Sequence, residues 1–241
     1  MFNSGFLIAA IVSSVAGFMR GFVGVGSGML MAPIFAIIFG PIDTVAIIIM
    51  MELAVTIQLL PGVKKHIEWR VIIPMGIAAV LFMPLGRWLL ININADLMSR
   101  VIAWVVLVFV ILLLRGWKYE GRKRLGTTIV VGALSGIMIA ATSLGNPPVI
   151  LYLLSSRTDH AVTNRANFTG YFAITLVALF CLMLATNMIT GSAVLHASML
   201  LPLFMLSAWL GSRYFKKSSE KTYRNVALTL LFGVAVYGIL R

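Results

Sequence analysis

The chain has 241 residues, 61% of them hydrophobic and 11% charged, with a formal net charge of +12. That composition excludes an ordinary soluble domain, in which about a quarter of residues are charged. The excess of base does not indicate nucleic acid as a partner, because the lysines and arginines cluster in short loops between apolar runs, the distribution that marks cytoplasmic loops of membrane proteins.

Eight apolar segments follow one another, over 5–39, 43–60, 71–91, 98–114, 126–156, 162–187, 192–213 and 223–240. The start, Met1-Phe-Asn-Ser, lacks the basic region of a cleaved signal peptide, so an internal uncleaved segment is expected to direct insertion. The first segment is too long for a single crossing: some 34 residues of helix would extend about 51 Å across a hydrocarbon core of about 30 Å. It is broken at Gly24-Val-Gly26-Ser27-Gly28, with Pro33 downstream. Two half-length helices meeting at a glycine-rich tip fit better, as a re-entrant hairpin or as a bent crossing. Gly17-x-x-x-Gly21 just upstream is a small-residue pattern that lets membrane helices pack closely, and packing is the stronger reading for it. For Gly26, Ser27 and Gly28 ligand contact is the stronger reading. A second helix starts there, with free N–H groups and a positive dipole end that suit an anion. Arg20, beside this tip, either neutralises a substrate anion or snorkels to an interface.

The second segment holds Glu52 near its middle. A carboxylate at that depth is costly and indicates function by default. It either carries a coupling proton or forms a buried ion pair, for which Arg20 is the partner at hand. The fifth segment is broken in turn, at Thr142-Ser143-Leu144-Gly145-Asn146-Pro147-Pro148, after Gly132-x-x-x-Gly136. Asn146 adds a side-chain donor beside Gly145, and the prolines suit a helix start, where their missing N–H groups would be unpaired anyway. The sixth segment opens on Asn164, Arg165 and Asn167. The asparagines share a helix face, and Arg165 reads as a cytoplasmic anchor more readily than as a ligand. Tyr171 reads equally as a cavity cap or as a packing aromatic. His66, His160 and His196 match no metal-ligand spacing. The single Cys181 excludes an intrachain disulfide, no P-loop occurs, and no cofactor is expected.

Loop charges set the topology. Lys64, Lys65 and Arg70, then Arg115 to Arg124, then Arg213 to Arg224 all fall on the cytoplasmic side only if the fifth segment is re-entrant. The expected fold is therefore an all-α polytopic membrane protein. Its eight hydrophobic segments form two pseudo-repeats of four, each opening with a broken or re-entrant helix and inverted relative to the other. The repeats span residues 1–114 and 126–241, joined by a basic cytoplasmic linker at 115–125. Gly17 and Gly21 correspond to Gly132 and Gly136, and Gly26-Ser-Gly28 to Gly145-Asn-Pro147. Paired breaks in matching positions are the sequence mark of a secondary transporter's binding site.

Gly24-Val-Gly26-Ser27-Gly28 with Pro33, the Ile67-Glu68-Trp69-Arg70 start of the third segment, and Gly145-Asn-Pro-Pro148 resemble the TauE/SafE family over nearly the whole chain. The resemblance implies a multi-pass inner-membrane exporter of sulfite or small organosulfonates. The family pattern has an unbroken glycine triplet in the first motif and Gly-Gly-Pro-Pro in the second. Ser27 and Asn146 replace glycines here and add two donors. The expected function is secondary transport of a small anion, bound by Arg20, Gly26, Ser27, Gly28, Gly145, Asn146, Asn164 and Asn167, with Glu52 for coupling. The rivals are a passive anion channel and an intramembrane hydrolase using Ser27. Lipid is the other expected partner, and a homo-oligomer remains open.

Overall fold

The computed structural model describes residues 4–94, 96–98, 100–101, 104, 108, 111, 124–143, 146–153 and 161–217. All regular structure among them is helical. The elements are α1 (Ser4–Val23), α2 (Ser27–Phe39), α3 (Pro41–Val63), a 3₁₀ turn (Lys64–His66), α4 (Trp69–Asn92), α5 (Leu125–Thr142), α6 (Asn146–Leu153), α7 (Ala161–Ala185) and α8 (Gly191–Lys217). Six of these helices are long and apolar enough to cross a membrane: α1, α3, α4, α5, α7 and α8. Most of the predicted fourth segment, and all of the eighth, lie outside the described residues.

Polarity is distributed inside out. Leu81, Ile11, Ile57 and Leu206 are exposed, while Arg20, Ser27, Asn167 and Thr175 are fully buried. In a hydrocarbon solvent this is the favourable arrangement, because polar side chains must find partners within the protein.

Both broken segments are hairpins closed at their open ends. Gly5 at the start of α1 meets Ile38 at the end of α2, where an added Cβ would lie 3.5 Å from Ile38 Cγ2. Thr128 near the start of α5 and Tyr152 near the end of α6 pair through their hydroxyls at 2.5 Å. The arms are not the half-length helices expected. α1 has 20 residues and α5 has 18, about 30 and 27 Å at 1.5 Å per residue. Only the returning arms are short, at 13 residues for α2 and 8 for α6. The glycine breaks mark where each chain turns, slightly past the middle of each segment, so the first arm is the longer one.

The long arms are docked by glycine. A methyl group at Gly17 or Gly21 would fall on the carbonyl oxygens of Phe204 or Ala208 in α8. One at Gly132 or Gly136 would fall on those of Met75 or Ala79 in α4. The partner helices reciprocate, since Gly211 of α8 meets the backbone of Phe18 and Gly86 of α4 meets that of Ile137. Small residues let backbones approach where lipid supplies no hydrophobic driving force, so dispersion contacts decide the association. The packing reading of these glycines is what the structure shows. α3 and α7 pack on each other at the centre; α3 also packs on α8, and α7 on α4.

Candidate functional site

The first hairpin turns through Gly24 and Gly26, with φ of +90° and +99°. Side chains resist that left-handed region, which explains why glycine recurs there. The turn sets α2 beginning beside Arg20, in the last turn of α1. Arg20 does not snorkel; it is fully buried. Its Nε donates to Glu52 Oε2 at 2.7 Å, its Nη1 to the Gly24 carbonyl at 2.5 Å and its Nη2 to Thr56 Oγ1 at 2.9 Å. Its Cζ also lies 4.6 Å from the centre of the Phe172 ring. Ser27 Oγ donates to the other Glu52 oxygen, Oε1. The expected ion pair is thus present, and a hydroxyl from the start of α2 completes it. Removing one partner of such a buried pair leaves an uncompensated charge, at a cost of about 3–5 kcal/mol.

The same carboxylate borders a small cavity with room for roughly one water molecule. Gly28 of α2 and Ser143 at the second hairpin tip line it, and Ile48, Ile139 and Phe172 supply apolar walls. The two tips therefore meet at one space. Ser143 ends α5 in the left-handed conformation, φ 60° and ψ 9°. Its N–H bonds the Ile139 carbonyl at 3.0 Å. Its Oγ is buried without a hydrogen-bond partner in the structure. The first N–H groups of α2, on Ser27 and Gly28, have no carbonyl a turn earlier within the helix.

The structure thus brings Arg20, Ser27, Gly28 and Glu52 together, with Gly26 setting the turn. Gly145 and the side chain of Asn146 lie outside the described residues; α6 does begin at Asn146. Asn164 is buried with its Oδ1 unpartnered. Asn167 is engaged elsewhere: its Oδ1 accepts from the Glu68 N–H at 2.8 Å, and its Nδ2 donates to Glu68 Oε2 at 2.7 Å. Arg165 is not an interfacial anchor. It is buried, with Nε on the Gly21 carbonyl at 3.1 Å, Nη2 on Ser212 Oγ at 2.9 Å and its guanidinium over Phe215. Gly24 packs against it, and the bare backbone there gives the guanidinium a route to the end of α1. Tyr171 is a packing aromatic whose hydroxyl donates to Ser135 Oγ at 2.7 Å. Among the described residues no cluster could hold a metal. Ser143 and Thr56 were not singled out by sequence reasoning. Hydroxyl residues are common in membrane helices, and neither the sign of φ at Ser143 nor the contact to Arg20 has a sequence signature.

Of the histidines weighed as a base for Ser27, His160 lies outside the described residues and His196 is remote. His196 stacks on Phe39 at 4.6 Å, the opposite end of α2 and about 18 Å along the helix. An apolar exterior around a buried ion pair, with two broken helices meeting at one cavity, defines a polytopic membrane protein with a polar centre, not a hydrolase. The family model described as "Sulfite exporter TauE/SafE" matches residues 9–238, and the chain belongs to that family, whose members are transporters and not enzymes. It is similar to the "Probable sulfite/organosulfonate exporter TauE" of Cupriavidus necator, with 22% identity over 227 residues, 92% of this chain and 86% of that protein. No solved structure matches the chain.

Proposed function

We propose that this protein is a secondary transporter that exports small sulfur oxyanions, sulfite or organosulfonates, across the cell's inner membrane, with Glu52 carrying a coupling proton. The observation that supports this most directly is the meeting of Gly28 and Ser143, from the two hairpins, at one cavity beside Glu52. The anion would be held by Arg20, Gly26, Ser27 and Gly28 of the first hairpin and by Gly145 and Asn146 of the second. Asn164 of α7 would serve as a further ligand, and Asn167 would join it only on leaving its contact with Glu68. Helix N-termini at membrane depth favour negative charge for the reasons that place anions at helix N-termini in soluble proteins.

In this reading residues 1–114 and 126–241 are inverted repeats of four segments joined by a cytoplasmic linker at 115–125. The reciprocal docking of α1 on α8 and α5 on α4 supports it. So does the charge distribution. Lys64, Lys65, Arg70, Arg124, Arg213 and Lys216 sit at helix ends near the Glu68–Asn167 contact. The opposite end mixes Arg87 and Arg100 with Asp43 and Asp96, and there Thr190 and Ser192 bond Asp43. On a Cys181→Ser background, Lys65→Cys should be shielded from an impermeant external thiol reagent in intact cells and Asn187→Cys labelled. Equal labelling of the two would refute the orientation.

The transport reading is tested in proteoliposomes with sulfite, sulfoacetate, taurine and sulfate, with and without a pH gradient. Saturable uptake accelerated by anion on the opposite side is expected. Flux that is linear in concentration and shows no such acceleration would indicate a passive channel instead.

A further inference from the structure

At the first tip the donors suited to an anion are already occupied. Arg20 Nε and Ser27 Oγ are directed at the two oxygens of one carboxylate, that of Glu52. A carboxylate and the SO₃ group of a sulfite or sulfonate offer the same chemistry: an anionic oxygen pair that accepts from a guanidinium and a hydroxyl. The adjoining cavity holds roughly one water, too little for such a group while Glu52 remains in place. Across the cavity Ser143 is 5% exposed, and its buried Oγ has no partner among the described residues. A buried hydroxyl without a partner is costly, and its left-handed backbone adds to that cost.

Resting on the transport reading above, we propose that Glu52 is a built-in substitute for the substrate. Its carboxylate fills the anion donors until it is protonated; the substrate oxyanion then takes over Arg20 and Ser27, and Ser143 donates to it from the opposite tip. The balance is one proton for one negative charge. A proton from water binds a Glu52 oxygen, the neutral carboxyl releases the guanidinium, and the anion restores that charge pair, so proton and anion bind together and leave together, outward when the anion's own gradient exceeds the opposing proton gradient. Proton coupling thereby becomes competition for shared donors, with no separate relay.

The groups that face Glu52 come from α1, α2, α3, α5 and α7. Arg20 of α1 is the charged group that meets it. α2 presents Ser27 and Gly28, α3 presents Thr56, which is bonded to Arg20, the end of α5 presents Ser143, and α7 presents Phe172 and Leu176. On α7, Arg165 is directed to Gly21 and Ser212, and Tyr171 to Ser135. On α8, His196 stacks on Phe39 and Arg213 on Trp209.

The probe is isethionate, a sulfonate with no group of its own titrating near neutrality, bound to the purified full-length protein in detergent. Wild-type protein should take up close to one proton per isethionate bound in weak buffer. Its affinity should fall about tenfold per pH unit on the alkaline side, as linkage of one proton requires. Glu52→Gln should abolish the proton uptake and flatten the pH profile. Ser143→Ala should lower affinity by about tenfold or more, the loss expected for a hydrogen bond to a charged group, with the pH slope unchanged. Wild-type binding without proton uptake would overturn the proposal whether or not the Glu52 variant folds, while leaving the protein a transporter. Proton uptake that persists in folded Glu52→Gln would overturn it too, as would unchanged affinity in Ser143→Ala. A protein that binds none of the candidate anions and moves none in vesicles would instead refute the transport reading itself.

Discussion

The two hairpins share one packing frame and carry opposite loads. Each long arm is docked by a pair of glycines on a helix of the other half, and each hairpin is tied at its open end. At the first tip, however, a buried arginine and a buried glutamate neutralise each other and a serine completes the pair. At the second, a serine holds a backbone conformation unfavourable to it and its hydroxyl has no hydrogen-bond partner among the described residues. The frame is set by the needs of membrane packing, which are alike in the two halves. The tips differ because one is satisfied at rest by its own side chains, while at the other Ser143 Oγ has no partner among the described residues.

The largest effect should come from attacking the shared frame. Gly21→Leu and Gly136→Leu would each drive a side chain into the backbone of the docked helix. Overpacking costs about 1–3 kcal/mol in cores that can relax, and more where backbone must move. Each variant should lose its monodisperse peak on size exclusion. Tolerance of one and not the other would show that the docking is not reciprocal.

Next in size is Arg20→Ala, which strands Glu52 and should cost about 3–5 kcal/mol, read as a lowered Tm in detergent. Arg20→Met combined with Glu52→Met should recover most of that stability and no transport. A double variant as unstable as the single one would show that the pair is not the source of the loss.

Serine distinguishes the tips more finely. Ser27→Ala removes a hydrogen bond to a carboxylate, worth about 1.5–3 kcal/mol, and should lower both Tm and anion affinity. Ser143→Gly should do the reverse for stability. Relief of the left-handed conformation is worth about 1–2 kcal/mol, so Tm should rise slightly while anion affinity falls. A drop in Tm in Ser143→Gly would mean that the hydroxyl has a structural partner at rest.

The breaks themselves were legible, because glycine and proline inside an apolar run punctuate a membrane helix whatever surrounds it. Arg20 and Glu52 were legible as a candidate pair for a similar reason, since charges at that depth must be matched. The unequal division of the arms was overlooked although the run carries it: the first run begins at residue 5 and breaks at Gly24, and α1 has 20 residues before its chain turns. Arg165 was misread because it stands at the edge of a run, where arginines usually reach water. Only the tertiary fold shows Gly24 and Ser212 enclosing it. The Glu68–Asn167 clamp joins residues 99 positions apart, beyond the reach of any local pattern.

The glycine docking has a consequence for biosynthesis. Gly17 and Gly21 are made long before the helix that covers them, α8. At ribosomal speeds of about 5–20 residues per second, the first hairpin waits on the order of ten seconds or longer with its bare backbone groove facing lipid. Insertion of α8 is therefore the step that covers this groove. A chain cut short before α8 would leave that groove open to quality-control proteases, even though both hairpin tips had already been made.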